Sequence, residues 1–155
     1  MPRKKETPES DLLIDLPCVC ATTRRTARAL TQLYDASLRA SQLEGAQYSL
    51  LLLIEAKTGC TQAEIGRMMI LDKTTLSRNL QLLKRKKWIA TQASDDARER
   101  RLSLTAEGKK ILEVAKPLWA AAQKKLRAQL TSEEWETIWK TLRILTDATR
   151  RSQSN

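Results

Sequence analysis

The stretch TQAEIGRMMILDKTTLSRNLQLLKR, residues 61–85, decides how the rest of the chain is read. Thr61 and Glu64 have the spacing of a capping box, in which a hydroxyl and a carboxylate each satisfy a free amide at a helix start. The helix they open is predicted to run to about Met69. Ile70, Leu71 and Asp72 then make a short turn, and Asp72 is placed to cap a second helix from Lys73 to about Lys86. Two short helices joined by roughly three residues form a helix-turn-helix. Gly66 lies inside the first helix, where glycine costs about 1 kcal/mol relative to alanine. A close crossing of the second helix is expected there as compensation.

The second helix has two unlike faces. Leu76, Leu80 and Leu83 form a stripe for burial, while Thr74, Arg78, Gln81 and Arg85 point the other way. Thr75 and Ser77 flank that exposed face, and Lys73 stands at its edge. Residues 73–87 contain no Asp or Glu, although a merely solvated helix face usually mixes both signs of charge. Hydroxyls, an amide and guanidinium groups suit base edges, because Arg bonds guanine bidentately, Gln bonds adenine, and Thr methyls meet thymine.

Working downstream, residues 88–92 read as a strand and 101–105 as its partner, joined by a polar tip over 93–100. This is a wing. Arg98, Arg100 and Arg101 crowd the tip, partly offset by Asp95, Asp96 and Glu99. An arginine there has the reach to enter a narrow minor groove. Asp96 is read as a support that orients an arginine, since a carboxylate facing phosphate is repelled.

Outside this unit the sequence is helical. Residues 1–16 read as a mobile arm, and a long amphipathic helix spans about 21–40. Gly45 breaks the chain, a largely apolar helix covers about 46–57, and Gly59 reads as its C-cap. Thr105 caps a long helix whose face is Ile111, Ala115, Leu118, Ala122 and Leu126, with a kink expected at Pro117. A last helix, opened at Thr131, carries Trp135, Ile138, Trp139, Leu142 and Leu145 on one side. Two or three flanking helices cannot bury such faces alone, whereas two interlocked copies can. Leu118, Trp119, Trp135, Ile138, Trp139 and Leu142 are therefore read as a homodimer interface.

The expected fold is mainly α with a small β-hairpin wing. Residues 1–16 are the arm and 17–45 the N-terminal helix of the dimerisation region. Residues 46–108 form the winged helix-turn-helix domain, 109–150 the C-terminal dimerisation helices, and 151–155 a tail. Charge agrees with this layout. The formal charge of +10 divides into +1 over residues 1–60, +6 over 61–110 and +3 over 111–155. A basic excess centred on the helix-turn-helix points to a polyanionic partner.

Several classes of protein are excluded. The longest apolar run, Leu50 to Ile54, is far short of the roughly 18 residues a membrane span needs. No apolar stretch of signal-peptide form follows the basic start. The chain has no His, and Cys18, Cys20 and Cys60 lack paired zinc-ligand spacing, so neither a metal nor another cofactor is expected. Without a nucleophile–base constellation an enzyme is a poor reading. Three cysteines with no disulfide framework fit a reducing cytoplasm.

With these residues in view, the chain resembles the MarR family of winged-helix regulators over about residues 18–150. Residues 71–80, LDKTTLSRNL, look like that family's recognition helix. The wing repeats its pattern of Asp, Arg, Leu-Thr and Gly in Asp96, Arg98, Leu104, Thr105 and Gly108. Lys87 departs from the pattern, because the family usually has Gly there. The resemblance implies that Arg78 and its neighbours read the major groove and that Arg98 enters the minor groove. It also implies a dimer.

Some members, the organic-hydroperoxide-responsive repressors among them, sense oxidants through a Cys near Cys18 and Cys20. Arg24 and Arg25 lie one turn beyond these residues, and a helix N-terminus with nearby cations favours the reactive thiolate. The functional expectation is a sequence-specific transcriptional regulator that binds double-stranded DNA, a repressor released by a small ligand or by thiol oxidation. Twofold symmetry would set the recognition helices about 34 Å apart on a pseudo-palindromic operator. The alternative is a basic module that coats nucleic acid, or binds protein, without sequence preference.

Overall fold

In the computed structural model, which describes residues 18–93 and 100–153, the helix-turn-helix lies where the sequence places it. Helix α3 (Gln62–Met69) and helix α4 (Lys73–Arg85) are joined by Ile70, Leu71 and Asp72. The Thr61 hydroxyl accepts from the Glu64 amide at 3.2 Å, and the Thr61 amide donates to Glu64 Oε2 at 2.8 Å, closing the capping box. The Asp72 carboxylate accepts from the Thr75 amide at 2.8 Å and so opens α4. The stripe of Leu76, Leu80 and Leu83 is buried.

The other described helices are α1 (Val19–Leu38), α2 (Gly45–Ala56), α5 (Ala106–Arg127) and α6 (Ser132–Gln153). A 3-10 turn at Arg39–Ser41, absent from the sequence reading, follows α1. The wing pairs β2 (Ile89–Ala93) with β3 (Arg100–Leu104) antiparallel, with Ile89 opposite Leu104 and Ala93 opposite Arg100. A strand the sequence did not suggest, β1 (Cys60–Thr61), adds to the free edge of β3, giving the order β1-β3-β2. Gly59 belongs to that addition rather than to the end of α2. Its amide donates to the Leu102 carbonyl at 2.9 Å with φ at +81°, whereas the residue capping α2 is Lys57. Helix α5 continues through Pro117.

One apolar core lies beneath the helix-turn-helix, the sheet and the start of α5. Leu38, Leu50, Leu51, Ile54, Ile65, Leu76, Leu83 and Leu112 are among its fully buried side chains, joined by Leu80 and Trp88. Lys116 links α5 to α2 by pairing with Glu55 at 3.1 Å while also holding Glu113 at 2.6 Å. The arm over 1–16, and with it the wing-tip residues Asp96 and Arg98, lie outside the described residues.

The junction of α4, β2 and α5 accounts for the Thr and Gly of the wing pattern. Helix α4 ends with the Lys87 amide bonded to the Lys84 carbonyl at 2.9 Å and the Trp88 amide to the Leu83 carbonyl at 3.0 Å. That pair of bonds is a Schellman ending, which needs a left-handed residue, usually glycine, at the position Lys87 occupies. Lys87 adopts it at φ +58°. The Thr105 hydroxyl donates to the Lys87 carbonyl at 2.6 Å and accepts from the Gly108 amide at 3.0 Å. One side chain thus caps α5 and ties its first turn to the end of α4.

The cost of the lysine is testable. A left-handed L-residue is disfavoured by about 1–2 kcal/mol, and the freedom glycine loses on folding returns about half of that. Lys87→Gly should therefore stabilise the protein by about 0.5–1 kcal/mol, read as a higher urea midpoint. A lower midpoint would show that the Lys87 side chain contributes more than its backbone costs.

The expected close crossing at Gly66 does not explain that glycine. A Cβ there would sit 3.4 Å from Leu76 Cδ2 and 3.5 Å from the Leu71 carbonyl, which is ordinary contact. The steric demand falls on Gly108 instead, where a Cβ would lie 1.9 Å from the Trp88 carbonyl oxygen.

Candidate nucleic-acid interface

The exposed face of α4 is assembled by its buried one. With Leu76, Leu80 and Leu83 held in the core, Lys73, Thr74, Thr75, Arg78, Gln81 and Arg85 are all exposed, and Ser77 is half-buried on the flank. Asn79, half-buried, donates from its amide to the Thr75 carbonyl at 3.0 Å, so it braces the helix. The carboxylates that open α3 and α4 are engaged locally. The Thr75 hydroxyl and amide hold the Asp72 carboxyl below its ordinary range. Glu64, bonded first by the Thr61 amide and then by Lys57, is held down to about 2. Both stay ionised at neutral pH, and each is engaged by donors at a helix start.

Not every nearby cation belongs to the exposed face. Lys86 lies 4.4 Å from the centre of the Trp88 ring and reaches the Gln42 carbonyl at 3.5 Å, which commits it to the end of α4. Arg101, counted with the wing tip in the sequence, donates to the Gly59 carbonyl at 3.1 Å. The pleat explains this, because β3 carries β1 on one edge and Arg101 is the residue opposite Thr61. Arg100, at the open end of the hairpin opposite Ala93, is exposed.

The six apolar residues assigned to a dimer interface fall into two groups. Leu118 and Trp119 pack against the chain's own core, and Trp119 stacks on Tyr48 with ring centroids 5.8 Å apart. This corrects the reading of Trp119 as lying outside the compact domain. Ile138, Trp139 and Leu142 are 39%, 49% and 44% exposed, and α6 buries no residue completely. Trp135 is half-buried, meets Trp139 edge to face at 5.8 Å, and lies beneath Arg127. Ile144, not singled out in the sequence, is 56% exposed on the opposite side of α6. Between α1, α2, α5 and α6 runs a groove of about 500 Å³, lined by Tyr34, Tyr48, Trp119, Trp135 and Trp139. The Tyr34 hydroxyl donates to Gln123 at its edge.

Cys18 and Cys20 are exposed at the start of α1, beside a hollow lined by Arg24, Arg25 and Arg28. Cys60 is buried in β1, and burial raises its thiol pKa, as suits a packing residue. Among the described residues no three His, Cys, Asp or Glu side chains converge as metal ligands. No described helix is long and apolar enough to cross a membrane.

A helix-turn-helix followed by a β-hairpin that is completed by a short strand before its first helix defines a winged helix-turn-helix protein. The model of the MarR family matches residues 41–99. The M. tuberculosis transcriptional regulator MosR, solved in complex with DNA, is 36% identical, with 87% of this chain and 98% of that one aligned at a TM-score of 0.80. Another MosR structure gives 33% identity, 87% and 97% coverage, and a TM-score of 0.76. A cysteine-to-serine mutant of E. coli MarR, complexed with operator DNA, is 22% identical over 90% and 99% of the two chains, at a TM-score of 0.77. That last likeness is one of fold alone. No curated protein matches the sequence. The chain belongs to the MarR family.

Proposed function

We propose that this protein is a homodimeric DNA-binding regulator of transcription that represses from a pseudo-palindromic operator. In this reading it acts in the cytoplasm without catalysis or a cofactor. The observation that carries it is the exposed face of α4, on which Thr74, Thr75, Arg78, Gln81 and Arg85 present donors and methyls with no carboxylate among them. In a winged helix-turn-helix the second helix of the motif lies in the major groove. The DNA complexes of MosR and of E. coli MarR support the same use of this fold. Arg98 and Arg100 would then reach the adjacent minor groove, with Asp96 orienting them, and Lys73 would meet a phosphate.

Base reading and phosphate binding separate by experiment. Arg78→Ala should flatten preference at one position of each half-site, at a cost of about 1–3 kcal/mol on the preferred sequence. Lys73→Ala should weaken all sequences about equally. Sequences selected from random DNA by the pure protein supply the operator for both measurements. Equal losses on operator and scrambled duplex for Arg78→Ala would remove Arg78 from the base-reading set. A parent protein indifferent to sequence at fixed salt would favour the non-specific nucleic-acid coat instead.

Release from DNA is proposed to follow either a small molecule or an oxidant. The aromatic groove beside α6 supports the first route, since it joins the winged domain to the proposed dimer helices. The exposure of Cys18 and Cys20 supports the second. A peroxide would oxidise one thiolate to a sulfenic acid and be reduced to its alcohol, and a thiol of the other subunit would then displace water to form a disulfide. Two thiols two residues apart in the same chain would close a strained ring, so the intersubunit bond is preferred. Peroxide should free the parent from operator and a thiol reductant should restore binding. If Cys18→Ser and Cys20→Ser both stay as sensitive as the parent, the thiols are packing residues.

A further inference from the structure

The C-terminal end of α6 returns to the helix-turn-helix. Arg150 and Gln153 line one wall of an open groove of about 1160 Å³ whose other wall is α3 and whose end is the start of α4. Ile70 and Met68, 60% and 39% exposed, are apolar surfaces of this groove, and Arg67 and Lys73 are its other cations. Asp72 is the one carboxylate among its described lining residues, and its side chain is occupied by the Thr75 amide at 2.8 Å. The groove therefore combines apolar and cationic side chains beside the helix N-terminus that α4 would present to DNA.

We propose that this groove seats one strand of the operator's sugar–phosphate backbone, with Arg150 of α6 contacting a phosphate beside Lys73. The inference rests on the DNA reading above. Apolar side chains such as Ile70 and Met68 suit deoxyribose carbons, and cations on both walls suit the phosphates that link them. In a helix-turn-helix the first helix crosses the backbone, which puts the α3 wall, with Arg67, against the same strand. Helix α6 carries Trp139 on its dimer face and Arg150 eleven residues further on, about 16 Å along the helix axis. A single rod would then join the subunit contact to the DNA contact, so that the packing of two α6 helices bears on where the phosphates sit. The ordinary role of a cation in the last turn, complementing the helix dipole, is also open to Arg150. A dipole role has no effect on counterion release.

Salt dependence separates the two. Operator affinity of the intact protein is measured from low to high salt for the parent, Arg150→Gln, Arg150→Lys and Lys140→Gln. Lys140 is an exposed cation of α6 that does not line the groove. The slope of log affinity against log salt should fall by about 2 in Arg150→Gln, one phosphate in each half-site. Its ratio of operator to scrambled affinity should stay at the parent value. Arg150→Lys should keep the parent slope, and Lys140→Gln should change it by less than half as much as Arg150→Gln. An unchanged slope in Arg150→Gln overturns the inference, and so does an equal fall in Lys140→Gln, which would report net charge only. A parent without operator preference overturns the DNA reading itself, and this inference with it.

Discussion

Replacing Gly108 by alanine will cost the protein about 3 kcal/mol or more, the largest loss expected from adding a single methyl group. Gly108 is buried in the first turn of α5, and a Cβ would stand 1.9 Å from the Trp88 carbonyl oxygen and 2.9 Å from its carbonyl carbon. The obstacle is backbone, so no side chain can rotate away. Relief requires α5 to move off the junction of α4 and β2, which strains the bond from the Thr105 hydroxyl to the Lys87 carbonyl and the one from the Thr105 amide to the Trp88 carbonyl. Alanine's better helix propensity returns only about 1 kcal/mol. Against a total stability of about 5–15 kcal/mol, the variant should unfold at a much lower urea concentration or fail to accumulate folded. A midpoint within about 1 kcal/mol of the parent would mean that α5 shifts freely, and the junction would then not be a rigid corner.

Trp139→Asp should yield a monomer with about 100-fold weaker operator binding, or weaker still. Trp139 is 49% exposed within one chain, so a carboxylate there is solvated and the winged domain keeps its core. The charge becomes costly only when a second copy covers it, because an unpaired ion taken out of water is strongly disfavoured. Joining two half-site contacts in one molecule typically raises affinity by about 10² to 10⁴, and the monomer forfeits that factor. Sedimentation gives the mass, helical circular dichroism checks the fold, and titration of full-site and half-site duplexes reads the loss. A stable dimer of this variant would place the subunit contact elsewhere than on α6.

The two predictions draw on sequence and structure in different proportions. Trp139 was read as an interface residue because its neighbours Trp135 and Leu142 repeat at helical spacing, a pattern within eight residues. Trp119 repeats on the same principle, yet the structure turns it inward onto Tyr48, 71 residues earlier in the chain. Periodicity reports that a face is apolar and is silent about which surface covers it. The two glycines divide in the same way. Gly66 read as a position with a reason to lack a side chain and Gly108 only as a member of the wing pattern, yet it is across Gly108 that backbone lies.

What the sequence determined by itself is what arises within about four residues along the chain. The capping box at Thr61 and Glu64, the Asp72 and Thr105 caps, the leucine stripe of α4 and the polar face opposite it all follow from helix geometry and short hydrogen bonds. Together with the wing pattern these were sufficient for the fold class and for which face of α4 is buried and which is exposed. The tertiary structure alone decided contacts between residues far apart in sequence. They include the addition of β1 to β3, too short a strand for any alternation to show, and the turn of Arg101 towards Gly59. They also include the closure of Lys87 under Thr105 and the bringing of Arg150 and Lys73 to one groove. Local pattern carries none of these, because the chain energies that set them are sums over partners brought together only when the core closes.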